Sequence, residues 1–118
     1  MATKRKIVTF DLIRDLALKH PGVEEGTSYG TRALRVKGKF MARLKEDGES
    51  VAFRISFDER DLLMQTKPHA FYITDHYLGY PAVLMRLSAV TPEEAADIVA
   101  MSWRMVAPKR LKNAPSSE

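Results

Sequence analysis

The chain has no cysteine, no long apolar run and no strong excess of charge of either sign. Without cysteine it forms no disulfides, thiolate nucleophiles or thiolate metal sites. The longest nearly apolar segment, Tyr80 to Met85, is too short to span a bilayer, and the first residues lead into no signal-peptide core. We therefore expect a cytoplasmic protein that has no membrane partner.

The motifs of common enzyme classes are also missing. The three histidines, His20, His69 and His76, lack metal-ligand spacing, and no phosphate-binding loop, dinucleotide fingerprint or serine elbow is present. We predict no metal, no cofactor and no catalytic residue, and we interpret His20 as a cation at a helix end. One catalytic alternative stays open, in which His76 acts as a general base while Tyr29 or Arg32 positions a substrate.

The composition that is present indicates a folded protein. Hydrophobic residues make up 45% of the chain and charged residues 29%, which is typical of folded globular proteins. The 118 residues suit one domain over 1–118, in which we expect residues 1–7 and 113–118 to be mobile. The formal net charge of +4 modestly favours a polyanionic partner such as nucleic acid.

The segment from Ala33 to Ser56 predicts three antiparallel strands. Asp47-Gly48 is a preferred pair for a two-residue type I′ turn, and the register that it sets pairs Leu44 with Val51 and Ala42 with Phe53. For the preceding turn we predict a three-residue loop, Val36 to Gly38, with a G1 bulge, because a two-residue loop would place Leu34 on the wet side. This arrangement turns Phe40 inward and Met41 toward solvent.

The remaining elements follow from capping and turn signals. Thr9, Ser56 and Thr91 are placed to cap three helices, and the last two each begin a capping box. The segment from Val23 to Arg32 is interpreted as a polar loop, and short strands are expected at 71–73 and 82–87. The order α-β-β-β-α-β-β-α predicts a two-layer α+β domain in which the helices pack on one face of a five-stranded antiparallel sheet.

Basic side chains share the predicted solvent face of the three-stranded segment. Such cations suit phosphate contacts, which need no sequence specificity, although alternating charges are typical of the wet face of any antiparallel sheet. Lys37 lies at a hairpin tip and could enter a groove as a wing, whereas the acidic residues of the Asp47-Gly48 turn would repel phosphates. The predicted nucleic-acid contacts are Arg35, Lys37, Lys39, Arg43 and Arg54.

Two loops carry aromatic and hydrogen-bonding groups. If single-stranded nucleic acid binds, tyrosines of these loops could stack on a base or a sugar. The alternative to DNA binding is a protein-interaction or small-ligand module that uses the same loops. The residues of the predicted ligand pocket are Tyr29, Arg32, His76, Tyr77 and Tyr80.

Several segments together resemble the MmcQ/YjbR family. They are Pro21 to Gly26, Tyr29-Gly30-Thr31, Phe40 to Leu44, His76 to Val83, and Trp103 to Leu111. The resemblance implies an α-β3-α-β2-α domain of the secretion-chaperone-like type and DNA binding through a double-wing arrangement of hairpins. It supplies no catalytic residues. It also implies pairing through the sheet or a helix, so a homodimer is a further expectation.

Overall fold

The computed structural model describes residues 7–112. Its helices are α1 (Phe10–Leu18), α2 (Phe57–Thr66), α3 (Pro92–Val106) and α4 (Lys109–Lys112), with short 3-10 helices at Asp75–Tyr77 and Leu87–Ala89. Its strands are β1 (Val23–Ser28), β2 (Thr31–Val36), β3 (Lys39–Leu44), β4 (Ser50–Arg54), β5 (Phe71–Tyr72) and β6 (Ala82–Arg86). The predictions made for residues 1–6 and 113–118 lie outside the described residues.

The strands form one antiparallel sheet in the order β1-β2-β3-β4-β6-β5. Helix α3 packs on β3, β4 and α1, and α2 packs beside β5 and β6. The predicted α+β class is confirmed. The predicted number of strands is wrong, because the described sheet has six strands and not five.

The three long helices begin where the sequence predicts. The Thr9 hydroxyl accepts a hydrogen bond from the Leu12 amide at 3.2 Å. Ser56 and Thr91 each form a complete capping box with the glutamate three residues later. These side chains satisfy amides that have no partner within their own helix, so each helix has a defined start.

The additional strand is β1, which the sequence analysis interpreted as a loop. It pairs with β2 through a turn in which Tyr29 and Gly30 both have positive φ, 53° and 80°. Two successive positive φ values define a type I′ hairpin. The strand was missed because its residues show no apolar alternation, and because tyrosine is an unusual first residue for this turn.

The hairpin between β2 and β3 corrects a second prediction. Its turn has two residues, Lys37 and Gly38, both with positive φ, and the register is restored by a bulge farther along β3. Met41 is the extra residue, and its side chain is buried in the core. Phe40 pairs with Arg35 on the opposite face of the sheet. The predicted orientations of Phe40 and Met41 were therefore exchanged.

A buried hydrogen bond supports this bulge. Ser102 of α3 donates its hydroxyl hydrogen to the Met41 carbonyl oxygen at 3.1 Å. Bulges disturb the ladder and leave backbone groups that need other partners. The helix layer therefore helps to hold β3 in the register that turns Phe40 and Arg43 to the same side.

The hairpin between β3 and β4 has the predicted register but a different turn. Leu44 pairs with Val51 and Ala42 with Phe53, and the described ladder ends there. Gly48 has a positive φ of 71°, whereas Asp47 does not, so the turn is not type I′. The Asp47 carboxylate instead accepts hydrogen bonds from two backbone amides that follow it.

The main core lies between the helices and one face of the sheet, where Phe53 and Ile13 are fully buried. We call the other side the outer face. Part of it is covered by a smaller cluster in which Tyr77 packs with Ala52, Ala82 and Leu84. Within residues 7–112, no helix combines the length and hydrophobicity needed to cross a membrane.

The His20 imidazole stacks on Trp103, with ring centroids 5.2 Å apart. Burial, and then the charge of Arg104, lower the pKa of His20, which favours the neutral imidazole over the helix-end cation that was predicted. Neutral His20 stabilises the fold above the unfolded pKa of about 6.5, and this contribution is lost as the pH falls through the folded pKa.

We expect His20→Gln to flatten the pH dependence of Tm below about pH 6.5, as measured by circular dichroism. An unchanged slope in the variant would contradict this assignment.

Candidate nucleic-acid interface

A cavity of about 450 Å³ opens on the outer face. It lies between the β1–β2 turn on one side and the segment around the Asp75–Tyr77 helix on the other. We call it the outer cavity. It is lined by Ser28, Tyr29, Arg35, Phe40, Arg43, His76, Tyr77 and Tyr80.

Tyr29 forms one rim of the outer cavity, and its backbone has an unfavourable conformation. Its φ of 53° lies in the left-handed region, which costs most L-residues about 1–2 kcal/mol. The residue is 87% exposed, so little burial offsets that cost. Thr31 supports the turn by donating its hydroxyl hydrogen to the Ser28 carbonyl oxygen at 3.0 Å.

The opposite rim is held by Arg60 of α2, which is not among the residues predicted from the sequence. This arginine is 6% exposed, and its guanidinium donates to the carbonyl oxygens of Tyr77 and Tyr80, both at 3.0 Å, and of Leu78 at 3.3 Å. It also lies over the Phe57 ring. Arg60 therefore fixes the segment that carries Tyr77 and Tyr80. Its place three residues before the buried Leu63 was the signal that it lies on the inner side of α2.

Each tyrosine of the outer cavity has a cation against its ring. The guanidinium carbon of Arg43 lies 5.2 Å from the ring centroid of Tyr29, and that of Arg54 lies 5.2 Å from the centroid of Tyr80. The Lys45 ammonium lies 5.2 Å from the centroid of Tyr77 and donates to its hydroxyl oxygen at 3.1 Å. These contacts orient the rings while leaving Tyr29 largely accessible.

Arg35 reaches across β1 at a glycine. Its guanidinium donates to the Thr27 carbonyl oxygen at 3.0 Å, and a Cβ atom at Gly26 would lie 3.3 Å from Arg35 Nη1. A larger residue at position 26 would therefore displace the guanidinium. The absence of a side chain at Gly26 lets Arg35 lie along the wall of the outer cavity.

Arg43 is less available than the sequence predicted. It is 7% exposed, and its Nη1 donates to Glu46 and to the Thr31 hydroxyl oxygen, both at 3.1 Å. The pKa of Glu46 is lowered, first by a hydrogen bond from its own backbone amide and then by Arg43. The prediction that Arg43 is displayed to solvent is wrong. Its position instead supports the Tyr29 turn, and its charge is paired with Glu46.

The other predicted phosphate contacts are divided between two regions. Arg54 is half-buried on the outer face, and its Nε is buried without a hydrogen-bond partner among the described residues. Lys37 and Lys39 are exposed at the β2–β3 end. Lys39 pairs with Val36, which places it on the helix side of the sheet and not beside Arg35 as predicted, because paired residues share a face.

Arg32 lies on the wrong face to join the outer cavity. It forms ion pairs with Asp11 at 2.7 Å and Glu25 at 2.9 Å, and it lies over the Phe10 ring. Its hydrogen bond and charge lower the pKa of Asp11. The predicted pocket therefore brings together Tyr29, His76, Tyr77 and Tyr80 but not Arg32. Once β1 and β2 form a regular hairpin, alternation alone separates Arg32 from the cavity.

Charge pairing distinguishes the cations of the outer face. The ion pairs formed among residues 7–112 use Arg14, Arg32, Arg43, Lys45, Arg60 and Lys67. Arg35 and Arg54 take no part in them. In the same described range, no cluster of three histidine or carboxylate side chains is arranged to hold a metal ion.

These features define an α+β protein with an antiparallel sheet whose outer face carries a cavity lined by tyrosines and arginines. The YjbR family model matches residues 18–105. The chain belongs to the YjbR family.

Its relatives include Uncharacterized protein Mb2600 of Mycobacterium bovis and Uncharacterized protein Rv2570 of Mycobacterium tuberculosis. Each is 36% identical to this chain over 69 residues, which cover 57% of this chain and 53% of the relative. The match thus spans about half the length of these relatives.

A solved structure shares the fold. The crystal structure of Deinococcus radiodurans protein DR2400, with a DUF419 domain, aligns with a TM-score of 0.71 at 17% sequence identity. The alignment covers 94% of this chain and 84% of that chain. At this identity the likeness shows a shared fold.

Proposed function

We propose that the protein binds single-stranded DNA on the outer face of its sheet. The observation that carries the proposal is that Arg35 lines the outer cavity together with cation-backed tyrosines, while Arg54 lies against the ring of Tyr80. Neither arginine has an ion-pair partner within residues 7–112. Phosphates require cations, and unpaired bases stack on aromatic rings. The modest positive charge, and the DNA binding that the MmcQ/YjbR resemblance implies, favour a nucleic acid as the partner in general.

The geometry favours a single strand over a duplex. The arginines lie on the outer face of the sheet and not along a protruding wing. At the hairpin tip, Lys39 lies on the helix side of the sheet and Lys37 belongs to the turn. A duplex presents phosphates and groove edges but no accessible base faces. The exposed ring of Tyr29 would therefore have no stacking partner on a duplex.

Fluorescence anisotropy tests this proposal across a salt series. A labelled thymidine 15-mer is expected to bind the full chain with an affinity that falls steeply as salt rises, because each phosphate contact contributes roughly 0.7 to the slope of log K against log salt for a single strand. The same sequence as a duplex is the comparison, and it is expected to bind more weakly. The absence of saturable single-strand binding at low salt would overturn the proposal.

A second candidate function is binding of a small ligand in the outer cavity. Its volume of about 450 Å³ falls within the range of small-molecule sites, roughly 300–1,000 Å³. Arginines and tyrosines together suit an aromatic anion. Saturable binding of a mononucleotide but not of the 15-mer would favour this candidate. Two further expectations stay predictions: that the protein forms a homodimer, and that it acts as a protein-interaction module.

A further inference from the structure

Tyr29 occupies a position where tyrosine is a poor choice for folding. The first residue of a type I′ turn has positive φ, and asparagine followed by glycine is the preferred sequence there. Tyr29 precedes Gly30, so an asparagine would complete the preferred pair. Backbone strain of this kind is concentrated at functional sites. The ring, and not the turn, therefore accounts for the tyrosine.

Tyr29 is also exposed on the surface and is not packed into the core. The residue is 87% exposed, and the Arg43 guanidinium carbon lies 5.2 Å from the centroid of its ring. Arg43 is itself held by hydrogen bonds to Glu46 and Thr31, so the guanidinium that contacts the ring is fixed in position. An aromatic ring that is oriented by a buried cation and accessible to solvent is suited to stacking with a planar ligand.

Arg35 supplies an anion-binding group beside the ring. A guanidinium has five N–H donors, and one intramolecular hydrogen bond, to the Thr27 carbonyl oxygen, holds Arg35 in place. Both residues line the outer cavity. The stacking group, Tyr29, and the phosphate-binding group, Arg35, thus lie in one site. A nucleotide requires this combination, because it carries both a base and a phosphate.

We infer that the outer cavity takes up one unstacked base of the bound strand, with the base stacked on Tyr29 and a neighbouring phosphate on Arg35. This inference rests on the proposed function, since it specifies how the same site binds a single strand. It assigns base recognition to the cavity and leaves the remaining phosphate contacts to cations such as Arg54.

The test compares a thymidine 15-mer with a fully abasic strand of equal length and charge. For the wild-type protein we expect the thymidine strand to bind about tenfold more tightly, because stacking of one base contributes an effect of this order. Tyr29→Asn is expected to bind both strands equally, and Tyr29→Phe is expected to keep the preference. The Tm of Tyr29→Asn is expected to equal or exceed that of the wild type, which excludes misfolding as the cause.

The outcomes separate the two levels of the proposal. Equal, salt-dependent binding of both strands by the wild type would overturn the base site while leaving single-strand binding intact. A preference that survives in Tyr29→Asn would overturn the assignment to Tyr29. The absence of binding to either strand would remove the proposed function itself.

Discussion

Replacing Arg60 with methionine is expected to lower the free energy of unfolding by about 3 kcal/mol and to weaken single-strand binding. The guanidinium is buried and donates to three carbonyl oxygens of the segment from Tyr77 to Tyr80. Methionine fills a similar volume but removes the three hydrogen bonds from the guanidinium. The Tyr77 and Tyr80 oxygens each keep one backbone donor, whereas the Leu78 oxygen loses its arginine donor. Urea denaturation followed by circular dichroism measures the loss.

The matched control for this change is Asp61→Asn. Asp61 lies 3.7 Å from Arg60 Nε, but its side chain is 58% exposed, and pairs with so exposed a partner contribute little. We expect its unfolding free energy to stay within about 0.5 kcal/mol of the wild type. If Arg60→Met were as stable as Asp61→Asn, the three hydrogen bonds would not hold the cavity rim.

The double variant Arg35→Gln/Arg54→Gln is expected to bind a thymidine 15-mer roughly 100-fold more weakly at low salt, since each lost charge-assisted contact is worth about tenfold. The salt slope should fall by roughly 1.4, which corresponds to two phosphates of a single strand. Both side chains lie on the outer face without ion-pair partners in the described chain. Anisotropy titrations at several salt concentrations measure both quantities.

Lys19→Gln/Arg104→Gln provides a control with the same change in net charge. Both residues are exposed. Lys19 lies at the end of α1 and Arg104 lies on α3, away from the outer face. At about 0.1 M salt, where the Debye length is about 10 Å, we expect this control to shift the affinity by less than about threefold, because exposed charges beyond that distance are largely screened. Equal losses in the two double variants would show a response to net charge and not a site.

Much of the fold could be predicted from local signals. The starts of three helices could be predicted from Thr9, Ser56 and Thr91, because capping depends on a few adjacent residues. The register that pairs Leu44 with Val51 was derived from the Asp47-Gly48 turn, and it is correct although the turn is of a different type, because it also places the large apolar residues on one face. These features are encoded within short segments, so no knowledge of distant contacts was needed.

The errors arose where a distant contact decides the local structure. The bulge at Met41 is supported by Ser102, which is 61 residues away along the chain. Edge strand β1 is polar, and it is a strand because β2 offers its backbone a partner. Neither feature leaves a periodic pattern in its own segment.

The site was partly predictable for the same reason. The glycines and aromatic residues of the two loops indicated a shared pocket, and Tyr29 and His76 do line one cavity. Arg32 was assigned to it because a loop has no fixed alternation, whereas a strand does. Arg60 was missed because a buried arginine is recognised by the carbonyl oxygens around it, which belong to another segment.

A ¹H–¹⁵N correlation spectrum titrated with a thymidine 15-mer tests most directly whether the outer face is the binding surface. The account predicts that the largest shift changes fall on amides of the β1–β2 turn, β3 and the segment from Asp75 to Tyr80, with α1 and the middle of α3 unchanged. Changes concentrated on the helices, or on α4 alone, would contradict it.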